Sequence, residues 1–471
     1  MLTMSVVAGL LVQAATVLWV HLAIGGEWVR RPGALMLLVA VVFHGVTEVM
    51  QWLWPGRNFF RAYLDQAAVD AWTLLVSVAI AAYGAVYGAL VGWSRRRGPA
   101  GPVDRGAGLH RLRMRWLLVL VVPLLAATWQ GRGALQPLAP ARADEVIPER
   151  EGILVDLAGQ FLVPLIALAG AVVVIRYGMR WLLPVLLVES LALVVAGTRA
   201  MIVFAGVLTV VGAAMHGVRP SRRQIAMIVV VLTAATALIS STRAVAGREV
   251  FHAGEGSGGR LTALVEGAGR MHTGESRQAI LDDVVYRFDG NTFAAIVYQG
   301  LRGSGEPIGL ATVGNNLTML APSLLVPDKV ASRTLESRSE EAYIARAFGL
   351  SQRVDWLPTI LGTAVAYYGA VGLIVIAVLL AMAVAGVEAA LLRVVTTLRA
   401  VCVFGLAQCA LLYGSGPQTV ITTLRVVVAL AALMWVVERL RRRHAPVRER
   451  SGGTLTRPGA AARVPGAPQP V

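Results

Sequence analysis

Arginine is the residue on which this chain would most readily build chemistry. Its basic residues are 42 arginines and a single lysine, Lys329. Several arginines stand where charge is costly. Arg199 lies in the turn Ala196-Gly197-Thr198-Arg199-Ala200 between two apolar runs, and Arg243 and Arg248 follow the exit of another. Arg425 lies about eight residues, or roughly 12 Å, inside the last apolar run. An arginine at membrane depth is expensive unless it is paired or hydrated. Planar guanidinium groups also match phosphate oxygens bidentately. Arg199, Arg243 and Arg425, brought to one depth from different helices, would form an anion site for a diphosphate, with Arg248 and Lys329 adding positive charge. Each of them alone also has a structural reading, as an interfacial arginine held by lipid phosphate or helix-end carbonyls.

A second concentration of ionisable groups is Asp282-Asp283-Val284-Val285-Tyr286-Arg287-Phe288-Asp289-Gly290-Asn291. Ile280, Val284 and Phe288 recur at helical spacing and Asp283 precedes Arg287 by four residues, so a helix is expected over 276–301. Arg287 is the candidate catalytic phosphate ligand, and Asp289 or Asp283 the candidate base toward an acceptor hydroxyl. A solvated helix face with an i,i+4 ion pair is the plainer alternative for Asp283.

Other signals point away from familiar chemistries. His44 and Glu48 share one face of an apolar run, and a buried structural pair is expected there. His252 and His272 lie in Gly-rich sequence without a nucleophile arrangement. Glu189 stands ten residues before Arg199, about 15 Å of helix, so it must satisfy another buried group. Asp65 and Asp70 lack the spacing of a metal-binding DxD pair. No Gly-rich phosphate loop occurs, so neither nucleotide nor metal cofactor is expected. Cys402 and Cys409 lie seven apart in one apolar run, cannot bridge each other, and read as packing residues.

The elements that must position these residues follow from composition. The chain is 56% hydrophobic and only 15% charged, which excludes a soluble enzyme. A net charge of +16 would suit nucleic acid, but most arginines flank apolar runs, a membrane pattern. With about 20 residues needed per crossing, spans are expected near 2–24, 34–54, 70–93, 116–130, 153–175, 181–197, 200–217, 225–242, 358–384, 400–414 and 418–437. The fold expected is therefore an all-α polytopic membrane protein of about 11 transmembrane helices. Eight fall within 1–242 and three within 358–437, either side of one large loop, 243–357, which is expected to cap a membrane cavity. The tail, 438–471, is Pro/Gly/Ala/Arg-rich and is expected to be disordered and to lie near membrane lipid. The first span has no basic segment ahead of it and reads as retained. Short connections on one side carry 24 Lys and Arg residues and those on the other carry 6. The richer side is cytoplasmic, which puts the amino terminus and the large loop outside and the carboxyl terminus inside.

Taken together, the tight Gly197-Thr198-Arg199 turn and the single large late loop resemble the bacterial O-antigen and exopolysaccharide repeat-unit polymerases (the Wzy type), which are related to the O-antigen ligases. Further points of resemblance are the run Tyr286-Arg287-Phe288-Asp289, then Gly309, Pro322 and Pro327-Asp328-Lys329. After Leu357-Pro358-Thr359, the stretch Tyr367-Tyr368-Gly369-Ala370-Val371-Gly372 is similar to the family's aromatic-x-G-xx-G start of the span that follows the loop. The resemblance covers about residues 180–385. It implies a GT-C-like membrane glycosyltransferase of the bacterial plasma membrane, acting on a polyprenyl-diphosphate-linked oligosaccharide. A growing glycan would pass from one carrier to a sugar hydroxyl on another, with a chain-length regulator and a flippase as partners. Arg199, Arg243, Arg287 and Arg425 would then neutralise the leaving diphosphate, and His252 or His272 would fill the acceptor-side place of a ligase histidine. The competing expectations are a ligase-like transfer to another acceptor, a transporter or flippase for an anionic lipid-linked glycan, and a non-catalytic scaffold. A transporter would predict matching halves, and no internal repeat is visible.

Overall fold

The computed structural model describes residues 3–25, 27–56, 58, 60–61, 64–97, 114–130, 153–194, 199–218, 220–246, 257–303, 305–309, 340–350, 357–391 and 396–444. Among them every regular element is helical. Six helical stretches are long and apolar enough to cross a membrane: Met4–Ile24, Pro32–Leu53, Gln66–Arg96, Arg222–Arg243, Ile360–Leu391 and Leu398–Ile421. The chain is thus an all-α, multi-pass membrane protein. Residues up to Ala431 form one compact unit, and Ala432 onward forms a second, in which Arg439 lies over the Trp435 ring.

Local sequence explains the helix ends. Helix α1 (Met4–Ile24) is opened by Thr3, whose hydroxyl accepts from the Val6 amide, and closed by Gly25 in the left-handed region at φ 62°. Helix α2 (Pro32–Val41) begins on a proline that needs no amide partner, passes through a π turn at Val42–Val46, and continues as α3 (Thr47–Leu53). Helix α4 (Gln66–Arg97) runs parallel to α1. Gly9 lies against Thr73 and Ser77, Gly84 against Thr16 and Gly88 against Trp19, so small residues let the two backbones approach. Five further helices follow: α5 (Met114–Gln130), α6 (Ile153–Tyr177), α7 (Leu182–Val194), α8 (Arg199–Met215) and α9 (Arg222–Ala246). They enclose an apolar core that includes Leu162, Leu186, Leu193, Leu208 and Ile239.

The large loop carries α10 (Ser257–Arg270), α11 (Gly274–Phe288), α12 (Gly290–Gly303) and α13 (Glu340–Ala347). The single helix expected over 276–301 is corrected to two, broken at Asp289. Its carboxylate accepts from the amides of Asn291 and Thr292 and so caps a new helix. Gly290 has no side chain to collide with Thr359 and Phe43. Among the described residues the loop does more than lie over the bundle, because α12 starts inside it. Asn291 meets Trp72, about 10 Å down α4, whereas Gln299 accepts from the amide of Asp65 just before α4 begins. The loop therefore sends a polar helix junction into the bundle and back out. A second apolar core, built from α1, α2, α4, α12 and the following helix, surrounds it.

That following helix, α14 (Ile360–Leu391), covers the span expected over 358–384 but is not continuous. Gly369 adopts φ 68°, ψ −169° in its interior and breaks it. Leu361 and Leu380 line the same small cavity, although a straight helix would hold them about 28 Å apart. Residues 360–368 are therefore folded back on the remainder. Pro307 rests against Gly369, and the Ile308 amide donates to the Ala366 carbonyl that the break frees. Beyond the break, α14 runs to Glu388, which accepts from the Gly33 amide and the Tyr87 hydroxyl and pairs with Arg31 at 3.3 Å. The start of α2 and the far parts of α4 and α14 thus share one end of the bundle. Helices α15 (Thr396–Leu411) and α16 (Gly416–His444) follow.

Apolar side chains face outward along these helices: Leu11, Leu18 and Leu22 on α1, Leu187, Val188 and Leu191 on α7, and Val371, Val375 and Leu379 on α14. Hydrocarbon, not water, is the solvent that such faces suit.

Candidate functional site

Trp72 fixes the site at its deepest point. Its indole can only donate, and it donates to Asn291 Oδ1 at 2.9 Å. The Asn291 amide nitrogen is thereby turned to donate to the His44 carbonyl at 2.9 Å and to Glu48 Oε1 at 2.7 Å. His44 Nδ1 lies 2.7 Å from the same Oδ1, so it must carry a proton. In neutral His44 that leaves Nε2 as the acceptor, 2.9 Å from the Tyr413 hydroxyl, which donates to it. One indole N–H thus sets an amide, an imidazole tautomer and a phenol in turn. His44 lies in the π turn of the α2–α3 span, which carries it and Glu48 toward Asn291.

Above this chain, Glu48 pairs with Arg61, and Arg61 Nη1 lies 4.0 Å from Asp289 Oδ2. Burial works against the Arg61 charge, but the carboxylates of Glu48 and Asp289 outweigh it and hold the guanidinium pKa above its usual value. Asp289 is buried and crowded with donors. Oδ1 accepts from the amides of Asn291 and Thr292, each at 3.0 Å. Oδ2 accepts from Asn58 at 2.7 Å, Gln51 at 3.0 Å and the Thr292 hydroxyl at 2.6 Å. Thr47 donates to the Phe288 carbonyl, and Phe43 packs on both Phe288 and Tyr413. The junction between α11 and α12 is thus held by side chains from α2–α3, the following connection, α4 and the turn before α16.

The sequence-derived residues are distributed unevenly around this junction. Asp289, the residue expected to act as base, is at its centre, and both its oxygens accept hydrogen bonds that hold the junction. Arg287 is half-buried in the last turn of α11, between Tyr286, which packs on Phe60, and Phe288. Arg243 is half-buried in the last turn of α9, against which α10 and α11 both pack. Gly206 of α8 meets Leu232 of α9 in antiparallel register, so the backbones of Arg199 and Arg243 lie within about 6 Å along the hairpin. The side chain of Arg199 lies outside the described residues.

Arg425 departs from the expected common depth. Its neighbour Val427 packs on Gly405 of α15, and Phe404 packs on Gly212. Gly212 is about 20 Å along α8 from Arg199, so Arg425 belongs to the other half of the bundle. Arg248, Lys329, His252 and Asp283's side chain lie outside the described residues, as do Gly197-Thr198, Pro322, Pro327-Asp328 and the tail from 445. His272 is exposed, Glu189 is buried and bonded to Thr209, and both cysteines are free.

Sequence reasoning missed Gln51, Asn58, Arg61, Trp72, Asn291 and Tyr413 as site residues. An arginine just beyond an apolar run that carries a glutamate was a usable signal for Arg61; the others are unremarkable until folded. Among the described residues no three His, Cys, Asp or Glu side chains gather as a metal site. No protein-family model, curated protein or solved structure matches the chain.

Proposed function

We propose that the chain polymerises polyprenyl-diphosphate-linked oligosaccharide repeat units into a surface polysaccharide, at the outer face of the bacterial plasma membrane. The observation that carries this reading is the seating of the α11–α12 junction inside the bundle. It holds the helix bearing Arg287 against α9, whose last turn bears Arg243, at the end of the hairpin where α8 begins with Arg199. Basic groups from separated parts of the chain are thus carried by touching elements at one end of an apolar bundle, as a lipid-linked diphosphate requires. In this reading the chain crosses the membrane eleven times in a GT-C-like arrangement, with the amino terminus outside and the carboxyl terminus in the cytoplasm.

The donor in such a reaction is already activated, so the protein needs to stabilise the leaving diphosphate and align the acceptor. Arg287, Arg243 and Arg199 take the first task, with Arg248 and Lys329 as further cations of the same loop. Asp289 keeps Arg287 in place by fixing the turn that follows it. Arg425 has no part at this end. Purified protein incubated with a lipid-linked repeat unit should give a ladder of products. Arg287→Ala and Arg199→Ala should abolish the ladder while leaving the protein in the membrane. Wild-type ladders from both variants, or no ladder from the unaltered protein with a matched substrate, would overturn the proposal.

A further inference from the structure

Away from the junction, α6, α7 and α8 enclose Glu189, which is 5% exposed and forms no ion pair among the described residues. Its carboxyl group lies against the backbone of Gly170, where an added methyl group would come within 2.0 Å of Oε1. Oε1 is 2.7 Å from the Thr209 hydroxyl, and that hydroxyl is 3.2 Å from the Ala167 carbonyl. Oε2 is buried and has no hydrogen-bond partner among the described residues.

Two counts follow from this geometry. Thr209 has one hydroxyl proton and two acceptors facing it, Glu189 Oε1 and the Ala167 oxygen. With an ionised carboxyl the two contacts must share that one proton. When the carboxyl brings a proton of its own, each becomes a full hydrogen bond, with Glu189 donating to Thr209 and Thr209 donating to Ala167. Ionised, Glu189 would also leave a charged oxygen bare among apolar groups, a costly arrangement. As a neutral acid it leaves only a carbonyl oxygen, which proteins tolerate better.

We propose that Glu189, Thr209 and the Ala167 carbonyl form a proton-binding site within the α6–α7–α8 core, occupied at neutral pH. The bound proton sits between Glu189 Oε1 and Thr209 Oγ1, and its loss to hydroxide yields water and a carboxylate. The ionisable groups of the surrounding elements stand at helix ends. These are Asp156 and Arg176 on α6, Arg180 before α7, Arg199 opening α8, and Arg222, Arg223 and Arg243 on α9. Of these, Arg176, Arg180, Arg222, Arg223 and Arg243 have described side chains. None of the five is hydrogen-bonded or ion-paired to Glu189, so raising the pH removes the proton without a counter-charge from them.

The test is infrared difference spectroscopy on 13C-glutamate-labelled protein in lipid nanodiscs at neutral pH. Wild type minus Glu189→Gln should show the carbonyl stretch of a protonated carboxylic acid. Thr209→Val should move that band, because the acceptor is lost. A carboxylate signature in the difference spectrum, or a band that Thr209→Val leaves in place, overturns the proposal. The Gln side chain imitates the neutral acid but cannot ionise in the unfolded chain. Glu189→Gln should therefore melt no lower than the wild type at neutral pH and lack the decline that the wild type shows as the pH rises into the alkaline range. An equal alkaline decline in both also overturns it. Should Glu189→Gln not accumulate, Thr209→Val alone decides through the presence or absence of a moved band.

Discussion

Asn291 receives Trp72 and His44 on its oxygen and gives its amide protons to Glu48 and the His44 backbone. Asn291→Leu would strip a partner from four buried groups at once. With each orphaned group costing about 1–3 kcal/mol, the expected loss is about 3 kcal/mol or more. Trp72→Phe removes a single donor and should cost about 1 kcal/mol beyond its packing change. Denaturant unfolding in detergent would order the two variants, and a reversed order would mean that the tautomer chain does not hold the junction. Arg61 sits between Glu48 and Asp289, and removing it leaves their charges uncompensated. Arg61→Met should destabilise by about 3–5 kcal/mol, with Arg61→Lys intermediate. Because its pKa is raised, Arg61 stays cationic across neutral and alkaline pH, so this contribution should not vary between pH 6 and 9. The run around Arg287 and Asp289 was legible because polar residues are conspicuous in an apolar chain. Gln51, Asn58 and Tyr413 were not, because nothing in their own sequence neighbourhood says that they meet.

Two breaks shape the elements. Asp289 ends one helix and caps the next, and Gly369 folds α14 back on itself. A side chain at Gly369 would be held at φ 68°, so Gly369→Ala should cost about 1–2 kcal/mol, read as a lower melting temperature. Its neighbour Gly372 has a separate reason to be glycine, since Tyr368 packs directly on it. The Tyr-Gly-x-x-Gly pattern seen in the sequence thus has two physical causes, a left-handed residue and a ring resting on bare backbone. The position of the α11–α12 junction can be read by thiol labelling. A cysteine replacing exposed His272 should react with a membrane-impermeant maleimide in the folded protein. One replacing Thr292 should react only after denaturation, and labelling of folded Thr292→Cys would contradict the buried junction.

For the whole molecule, the ends of α1 and α4 come together with the start of α2 and the end of α14, through Arg95 on the Ala23 carbonyl and Arg31 on Glu388. Cysteines at Asp65 and Gln299 should cross-link in the folded protein, reporting that the loop helix leaves the bundle where α4 begins. Hydropathy alone determined that this is an all-helical membrane protein and located most helices to within a few residues. The reason is that apolar length is a local property, and a bilayer demands the same length of every span. Charge counting sorted the connections into two sets by an equally local rule. Tertiary structure alone decided that the loop enters the bundle, that α14 doubles back, that Arg425 stands apart from the other arginines, and that Asp289 holds a junction. Each of these depends on which distant groups can satisfy a buried polar atom, and that pairing exists only once the helices have packed.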